Sequence, residues 1–207
     1  MSKNKTPNPW YIGVVSGMAS YIDSAAIVSS GTALVIYQKT MGITALQIGI
    51  LSGLLTLSIA AGAFGGGRLG DRIGRRNVFI ITMAMIFIGT LALAFGLNFP
   101  FLVLGTLLAT GADLPVSLAT ISEAANDENR GKIIGLSNLL WLVGIGATMG
   151  ISAIVGDWGL IGAQIMYMHV GLVAVVLMIL RWSIPESPLW LAAKDEVRRG
   201  IASVRAQ

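Results

Sequence analysis

Two aspartates lie deep inside apolar stretches of the chain. Asp23 is near the middle of the apolar run 12–37, and Asp113 lies inside the run 101–121. A carboxylate at the centre of a bilayer costs at least about 2.5 kcal/mol unless it faces protein or water. We therefore expect both side chains to face inward, where they could bind a polar ligand or take up a proton. A hydrogen bond that serves helix packing alone is the other interpretation.

Polar residues accompany each aspartate at helical spacing. The first set is Ser16, Ser20, Asp23 and Ser30, and the second is Thr106, Thr110, Asp113, Ser117 and Thr120. Spacings of three and four residues place each set on one helical face. Two such faces predict a wet central cavity. Pro115 removes a backbone hydrogen bond nearby, which either frees a carbonyl for that cavity or only bends the helix.

Four further polar or aromatic residues are candidates for substrate binding. Asn138 and Trp141 are three residues apart and share a helical face. An amide beside an indole suits a polar organic molecule, although packing explains the pair equally well. Gln164 lies near a predicted helix end. His169 is the only histidine and could titrate near neutral pH, but a packing role is the commoner one. One imidazole without any cysteine predicts no metal site, and we expect no cofactor.

The composition is that of a membrane protein. Of the residues, 55% are hydrophobic and 12% charged, and the mean hydropathy is +0.78. A span needs about 20 apolar residues. Six runs qualify: roughly 12–37, 46–64, 78–97, 101–121, 133–155 and 165–184. We expect an all-α membrane protein with a six-helix bundle over 12–184, a polar segment 1–11 and a tail 185–207.

The basic residues predict the topology. With six spans, all of the 14 lysines and arginines except Lys39 fall on one side, which the positive-inside rule makes cytoplasmic. Both termini are then cytoplasmic, in the plasma (inner) membrane, and no nucleic-acid partner is needed to explain the charge. Aromatic residues near the predicted span ends fit interfacial positions: Trp10, Tyr11, Tyr37, Trp158 and Trp182.

Span packing can be predicted in outline. Along and just beyond the second run, glycines occur four residues apart in two sets, which predicts close helix approach. The sets are Gly49 with Gly53, and Gly62 with Gly66 and Gly70. The third run carries no charge and few polar groups, so we expect it to face lipid as support.

The segment between the second and third runs combines glycines with closely spaced charges, in the order Gly67, Asp71, Arg72, Gly74, Arg75 and Arg76. Considered by charge alone, it is an ordinary cytoplasmic loop that sets topology. Its spacing resembles the signature loop between spans two and three of major facilitator superfamily transporters. The resemblance implies that the acid and its arginines latch a cytoplasmic gate that breaks on inward opening. The matching residues are these six.

Other segments resemble the metabolite:proton symporters and sugar porters of that superfamily. These are Tyr21–Ser24, Gly111–Val116 with the following Glu123 and Arg130-Gly131-Lys132, and Pro185-Glu186-Ser187-Pro188. The resemblance implies one six-helix half of the fold, with Glu123, Arg130 and Glu186 in the gate. It implies proton coupling through Asp23 or Asp113, and it places Asn138 where sugar porters have a substrate-binding glutamine.

The expected function is secondary active, proton-coupled transport of a small polar organic metabolite, such as an organic acid or sugar, by alternating access. We expect no enzyme activity. A second six-helix half is expected for function, since the chain ends where a first half should, as in a truncated or split transporter. Ala25, Ala26 and Val103 replace charged residues usual in these relatives, so a non-transporting half or assembly partner is the alternative. An intramembrane serine protease is remote, because Gly135–Asn138 departs from the required nucleophile motif.

Overall fold

A computed structural model describes residues 8–96, 98–109, 113–125, 127–182, 184, 186–187 and 190–196. These contain the helices α1 (Pro9–Met41), α2 (Ala45–Ile73), α3 (Arg75–Phe95), α4 (Phe99–Ala109), α5 (Asp113–Ala124), α6 (Asp127–Val155) and α7 (Leu160–Trp182), with a 3₁₀ turn at Gly156–Trp158. Residues 190–196 are also helical. The predicted all-α membrane fold is confirmed.

The helices match the predicted apolar runs. Five are long and apolar enough to cross a membrane: α1, α2, α3, α6 and α7. The fourth run is occupied by two shorter helices, α4 and α5, and residues 110–112 between them lie outside the described residues. Six segments therefore correspond to the six predicted spans, and each begins before the apolar run that predicted it.

Local sequence signals explain where the first two helices begin and end. Asn8 accepts a hydrogen bond from the Trp10 N–H at the start of α1, with proline in the first turn. Gly42 ends α1 at φ 68°, a left-handed conformation that glycine adopts at little cost. Thr44 and Gln47 then form a capping box that starts α2. A tight connection therefore joins α1 to α2.

Helix α1 is the centre of the bundle. Of the 18 residues in the most apolar part of α1, 72% are buried inside the protein. The corresponding shares are 6% for α2 and 17% for α6. Helix α1 packs mainly against α6, α7 and α5, and α3 packs against α7 and α4. Helices α2 and α6 therefore present most of their surface outward.

The prediction that the third run is lipid-facing support is correct for one face only: Ile81, Met85 and Ile88 are exposed, but the opposite face of α3 is buried. Val78, Phe79, Met83 and Ile86 of α3 are fully buried. The buried face packs closely because glycines let neighbouring helices approach: a Cβ at Gly89 would collide with the α4 backbone. An uncharged helix suits a protein interior as well as lipid, and hydropathy does not distinguish the two.

Two other expectations about packing also need correction. Tyr37 is not interfacial: it is fully buried, and its hydroxyl donates to the Leu93 carbonyl at 2.5 Å, because α1 continues a turn beyond it. Gly49 and Gly53 do not mediate close packing within this chain, since a Cβ at either would meet no atom within 4 Å. The glycine-rich face of α2 is therefore open near Gly49 and Gly53, whereas Gly66 and Gly70 at its other end are buried.

Candidate functional site

The charged segment between the second and third runs is not a loop, as the sequence predicted, but a helix junction one residue long. Helix α2 continues to Ile73 and α3 starts at Arg75. Gly74 connects them at φ 99°, a conformation that other residues rarely adopt, and its N–H donates to the Gly70 carbonyl. This junction holds Asp71 and Arg75 at a fixed separation on either side of the turn.

Arg75 bridges two carboxylates. Its guanidinium lies 2.5 Å from Asp71 and 3.1 Å from Glu123 of α5. The Asp71 side chain is 68% exposed, whereas those of Arg75 and Glu123 are 14% and 16% exposed. An exposed ion pair contributes little to stability, while a sheltered one is strongly felt when it is broken. The pair that matters energetically is Arg75 with Glu123.

Glu186 binds the start of α3. Its carboxylate accepts hydrogen bonds from the Arg76 N–H at 3.2 and 3.3 Å and from the Ser187 N–H at 3.0 Å. A carboxylate is favourable there because the N-terminus of a helix has free N–H groups and a partial positive charge. Ser187 Oγ in turn donates to Glu123 Oε2 at 2.5 Å. The segment after α7 thus joins α3 to α5.

Further contacts tie the same end together. Arg76 donates to the Trp182 carbonyl at 2.7 Å, and the Trp190 indole donates to the Asp71 carbonyl at 2.8 Å. Lys194 lies over the Trp190 ring, 4.4 Å from its centroid. We call the connected set at this end the gate cluster: Asp71, Arg75, Arg76, Glu123, Glu186 and Ser187.

The other residues predicted for the gate are more peripheral. Arg72 is exposed and borders a shallow hollow of about 220 Å³ with Asp71 and Trp190. Arg130 is exposed near the start of α6, and Gly67 faces open space. A role for Gly67, Arg72 or Arg130 in the gate stays a prediction.

The sequence predicted that the polar face of α1 lines a wet cavity. In the structure the hydroxyls of this face lie between helices instead. Ser16, Ser20 and Ser30 are all buried. Ser20 Oγ and Ser137 Oγ are 2.7 Å apart, and Tyr167 donates to Ser30 Oγ at 3.5 Å. The hydroxyls hold α1 to α6 and α7, because a buried hydroxyl needs a hydrogen-bond partner.

The second predicted polar face is likewise turned inward. Thr106, Ser117 and Thr120 are buried, and the two threonine hydroxyls donate to carbonyls four residues earlier in their own helices. Thr110 and the side chains of Asp113 and Pro115 lie outside what the structure describes, so their roles stay predictions.

The candidate substrate residues are spread over three helices. Asp23 of α1 and Trp141 of α6 are half-buried, and Asn138 of α6 is exposed. Gln164 and His169 of α7 are also half-buried. None of the five lines the cavity described below, and their binding roles stay predictions.

His169 is held against α1. Its Nε2 is 2.7 Å from the Tyr21 hydroxyl, and the two rings meet edge to face. Ser137, which a serine protease would need as its nucleophile, contacts Ser20 instead. The geometry therefore gives the protease hypothesis no support from this serine and histidine.

A cavity of about 520 Å³ opens at the end opposite the gate cluster. Sequence reasoning did not identify it. It lies between the last turns of α1 and the α6–α7 connection, and its lining includes Gly31, Thr32, Lys39, Thr40 and Asp157. Lys39 and Asp157 are the only charged residues in the sequence at this end, and both face the same cavity. The sequence signal that could have revealed the cavity is this pair of charges at an end with no others.

Sequence reasoning also did not identify Arg181 as a buried residue. It was counted among the cytoplasmic surface charges, but only 1% of its surface is exposed. Its Nη1 donates to Ser16 at 2.6 Å, its Nη2 donates to Thr120 at 3.0 Å, and its guanidinium lies over the Phe79 ring. Net charge cannot reveal burial, because a surface arginine and a buried one look alike in sequence.

Comparison with known sequences identifies the family. The sequence model of the Major Facilitator Superfamily matches residues 11–206. The chain is 34% identical over 182 residues to the minor myo-inositol transporter IolF of Bacillus subtilis (strain 168), covering 86% of this chain and 42% of that protein. It is 31% identical to the 3-(3-hydroxy-phenyl)propionate transporter of Escherichia coli (strain K12), covering 84% and 42%. The chain thus spans about two fifths of the length of these relatives.

Solved structures share the fold. The chain superimposes on the inward open conformation of the xylose transporter XylE from E. coli with a TM-score of 0.77 at 19% identity, covering 89% of this chain and 50% of that one. It matches a D-xylose–proton symporter with a TM-score of 0.67, also at 19% identity, covering 94% and 53%. Half of a transporter fold matches almost all of this chain. With the sequence match over most of its length, the chain belongs to the Major Facilitator Superfamily.

Proposed function

We propose that this chain is one half of a secondary active transporter that moves a small polar organic metabolite, such as a sugar, polyol or organic acid, by alternating access. Support comes from relatives whose names specify transport of myo-inositol and of 3-(3-hydroxy-phenyl)propionate. The proposed substrate class includes both of these compounds. This chain spans 42% of the length of each relative, a share that fits one half of a transporter.

The observation that carries the proposal is the contrast between the two ends of the bundle. One end is held by the sheltered Arg75–Glu123 ion pair and by Glu186 on the start of α3. The other end has a cavity of about 520 Å³. In alternating access two halves rock about a site that lies between them, so each half needs one end that closes and another that admits substrate. We assign the closed end to the cytoplasm, because most of the basic residues lie there.

The surfaces of α2 and α6 fit the docking of a second six-helix half. Only 6% and 17% of their most apolar parts are buried in this chain. Glycines at 49 and 53 of α2 and at 146 and 150 of α6 meet no atom within 4 Å. Surfaces with small residues allow helices of another half to approach closely.

Proton coupling is part of the proposal. Asp23 is half-buried within a membrane-length helix, where a carboxylate tends to face a polar path or a partner. Asp113, in the first turn of α5, is the second candidate. We expect Asp23→Asn or Asp113→Asn to abolish accumulation of substrate while leaving exchange of internal for external substrate. Unchanged accumulation in both variants would exclude proton uptake by these aspartates.

The test is an uptake assay on the whole product of the source gene. The DNA on both sides of the present codons is sequenced, and the complete reading frame is expressed in cells. Uptake of radiolabelled myo-inositol, glucose and 3-(3-hydroxyphenyl)propionate is measured with and without a proton gradient. We expect gradient-dependent uptake of at least one compound. A complete product that carries none of them, in either condition, would contradict the proposal for this substrate class.

A further inference from the structure

Arg181 lies beside the gate cluster, on its membrane side. Its Nη2 is 3.0 Å from Thr120 Oγ1, and Thr120 is three residues before Glu123 on α5. Its guanidinium carbon is 4.9 Å from the centroid of Phe79, which is four residues after Arg75 on α3. Residues three or four apart are neighbours on a helix face. Arg181 therefore contacts the adjacent turn of each helix that contributes to the Arg75–Glu123 pair.

The charge of Arg181 has no bound counter-ion. Its hydrogen-bond partners are the hydroxyls of Ser16 and Thr120, and in the described part of the chain no carboxylate lies within 4.0 Å of it. Its Nε is buried without an acceptor. A fully buried cation held only by hydroxyls and an aromatic ring is costly, because these do not replace its hydration. The site is thus suited to accept a carboxylate.

Glu186 also acts electrostatically on Arg181, but its carboxylate is held by the N–H groups of Arg76 and Ser187. Glu123 is the carboxylate that a side-chain rotation can bring to Arg181. In the present conformation Glu123 is shared between Arg75 at 3.1 Å and Ser187 at 2.5 Å. Side chains on a helix lean toward its N-terminus, so Glu123 leans toward the turn that contains Thr120 and its partner Arg181. Rotation of the side chain alone, with the backbone of α5 in place, would bring the carboxylate toward Arg181.

We propose that Arg181 is the alternate partner of Glu123, which receives the carboxylate when Arg75 releases it. The inference rests on the gate role proposed above. The exchange keeps the carboxylate paired in both states, so opening the gate does not leave a sheltered charge alone. It also keeps α5 attached to α1 and α7 through Arg181 while the ion pair between α5 and α3 is lost.

The test is a set of thermal unfolding measurements on the 207-residue chain in detergent micelles. Arg181→Met is introduced into the native sequence and into Arg75→Met, and the same pair is made with Glu123→Gln. We expect Arg181→Met to lower Tm by roughly 3 °C more in the Arg75→Met background than in the native one, a shift that corresponds to one ionic contact. When both backgrounds also carry Glu123→Gln, we expect this additional loss of Tm to disappear.

Two results would overturn the proposal. If Arg181→Met lowers Tm equally in both backgrounds, Arg181 only supports packing. If the excess persists with Glu123→Gln, it arises from repulsion between the two arginines and not from a transferred carboxylate. Arg68→Met, at an exposed arginine of α2, is the matched control and should shift Tm in neither background.

A second comparison keeps Arg181 intact, in case its loss prevents folding. In Arg75→Met, we expect Glu123→Gln to lower Tm, because Glu123 is then paired with Arg181. An unchanged or higher Tm would show that Glu123 has no partner and would exclude the exchange. These measurements report a contact inside the chain, so they are independent of the uptake assay and fail or succeed separately from it.

Discussion

The two ends of this bundle are built on opposite physical principles. At the gate end, charges of both signs lie close together and partly sheltered, with Arg75 between Asp71 and Glu123. At the cavity end, the only two charges, Lys39 and Asp157, line an open space and are not paired within 4.0 Å in the described structure. The gate end is held by ion pairs and hydrogen bonds between helices, whereas the two charges of the cavity end face an open space.

The largest expected effect comes from removing the central cation of the gate end. Arg75→Met breaks both ion pairs and should lower the free energy of unfolding by about 2 kcal/mol, less than for a fully buried pair because the site is partly exposed. Chemical denaturation of the chain in micelles measures it. Arg68→Met, an exposed arginine on the same helix as Asp71, should change it by less than about 0.5 kcal/mol. Equal effects of the two variants would contradict the assigned importance of the gate pair.

The next largest effect tests the helix junction at the same end. Gly74→Ala should destabilise the chain by about 1.5 kcal/mol, because φ 99° is unfavourable for alanine. Its Cβ would also collide with the Glu186 carboxylate and displace it from α3. The matched control is Gly131→Ala, whose Cβ meets open space within α6 and should be neutral or stabilising. Denaturation curves of both variants give the comparison, and a neutral Gly74→Ala would show that the junction is not strained.

A smaller effect is expected where helix α2 starts at the cavity end. Thr44→Ala removes the side-chain acceptor for the Gln47 N–H and should cost about 1 kcal/mol. Thr44→Ser retains the hydroxyl and should be close to neutral. If thermal unfolding shows Thr44→Ala to be as costly as Arg75→Met, the cavity end contributes as much to stability as the gate end, and the contrast between them fails.

The smallest effect on stability should accompany a large effect on function. Gly31→Leu places a side chain in the cavity, and its Cβ meets no atom within 4 Å, so Tm should not fall. If substrate enters through this cavity, uptake by the complete transporter should decrease by roughly tenfold, equivalent to about 1.4 kcal/mol. Gly31→Ala, which fills little of the space, should retain most of the uptake. Normal uptake by Gly31→Leu would remove the cavity from the substrate path.

Much of the fold could be predicted because hydropathy and charge act over whole helices. Six apolar runs correspond to six helical segments, and the arginine-rich junction falls between α2 and α3. Helix ends were less predictable, since α2 extends nine residues past the predicted end of its run, carried by glycines and charges that hydropathy excludes. The burial of α3 was not predictable either, because a helix without charges satisfies lipid and protein equally.

The candidate site was likewise predictable from the sequence only in part. Family resemblance singled out Asp71, Arg75, Glu123 and Glu186, and the structure brings these residues into one connected set. Their role in gating stays a prediction. Polar spacing on α1 indicated an inward face, but whether that face meets water or another helix depends on residues far away, such as Ser137 and Tyr167.

The sequence by itself determined which segments enter the membrane and which end carries the positive charge, because both follow from composition summed along the chain. Only the tertiary structure decided that Arg181 is buried, that Glu186 caps α3 and that Lys39 and Asp157 share a cavity. Each of these depends on side chains from helices distant in sequence, and burial and distance exist only after the helices have packed.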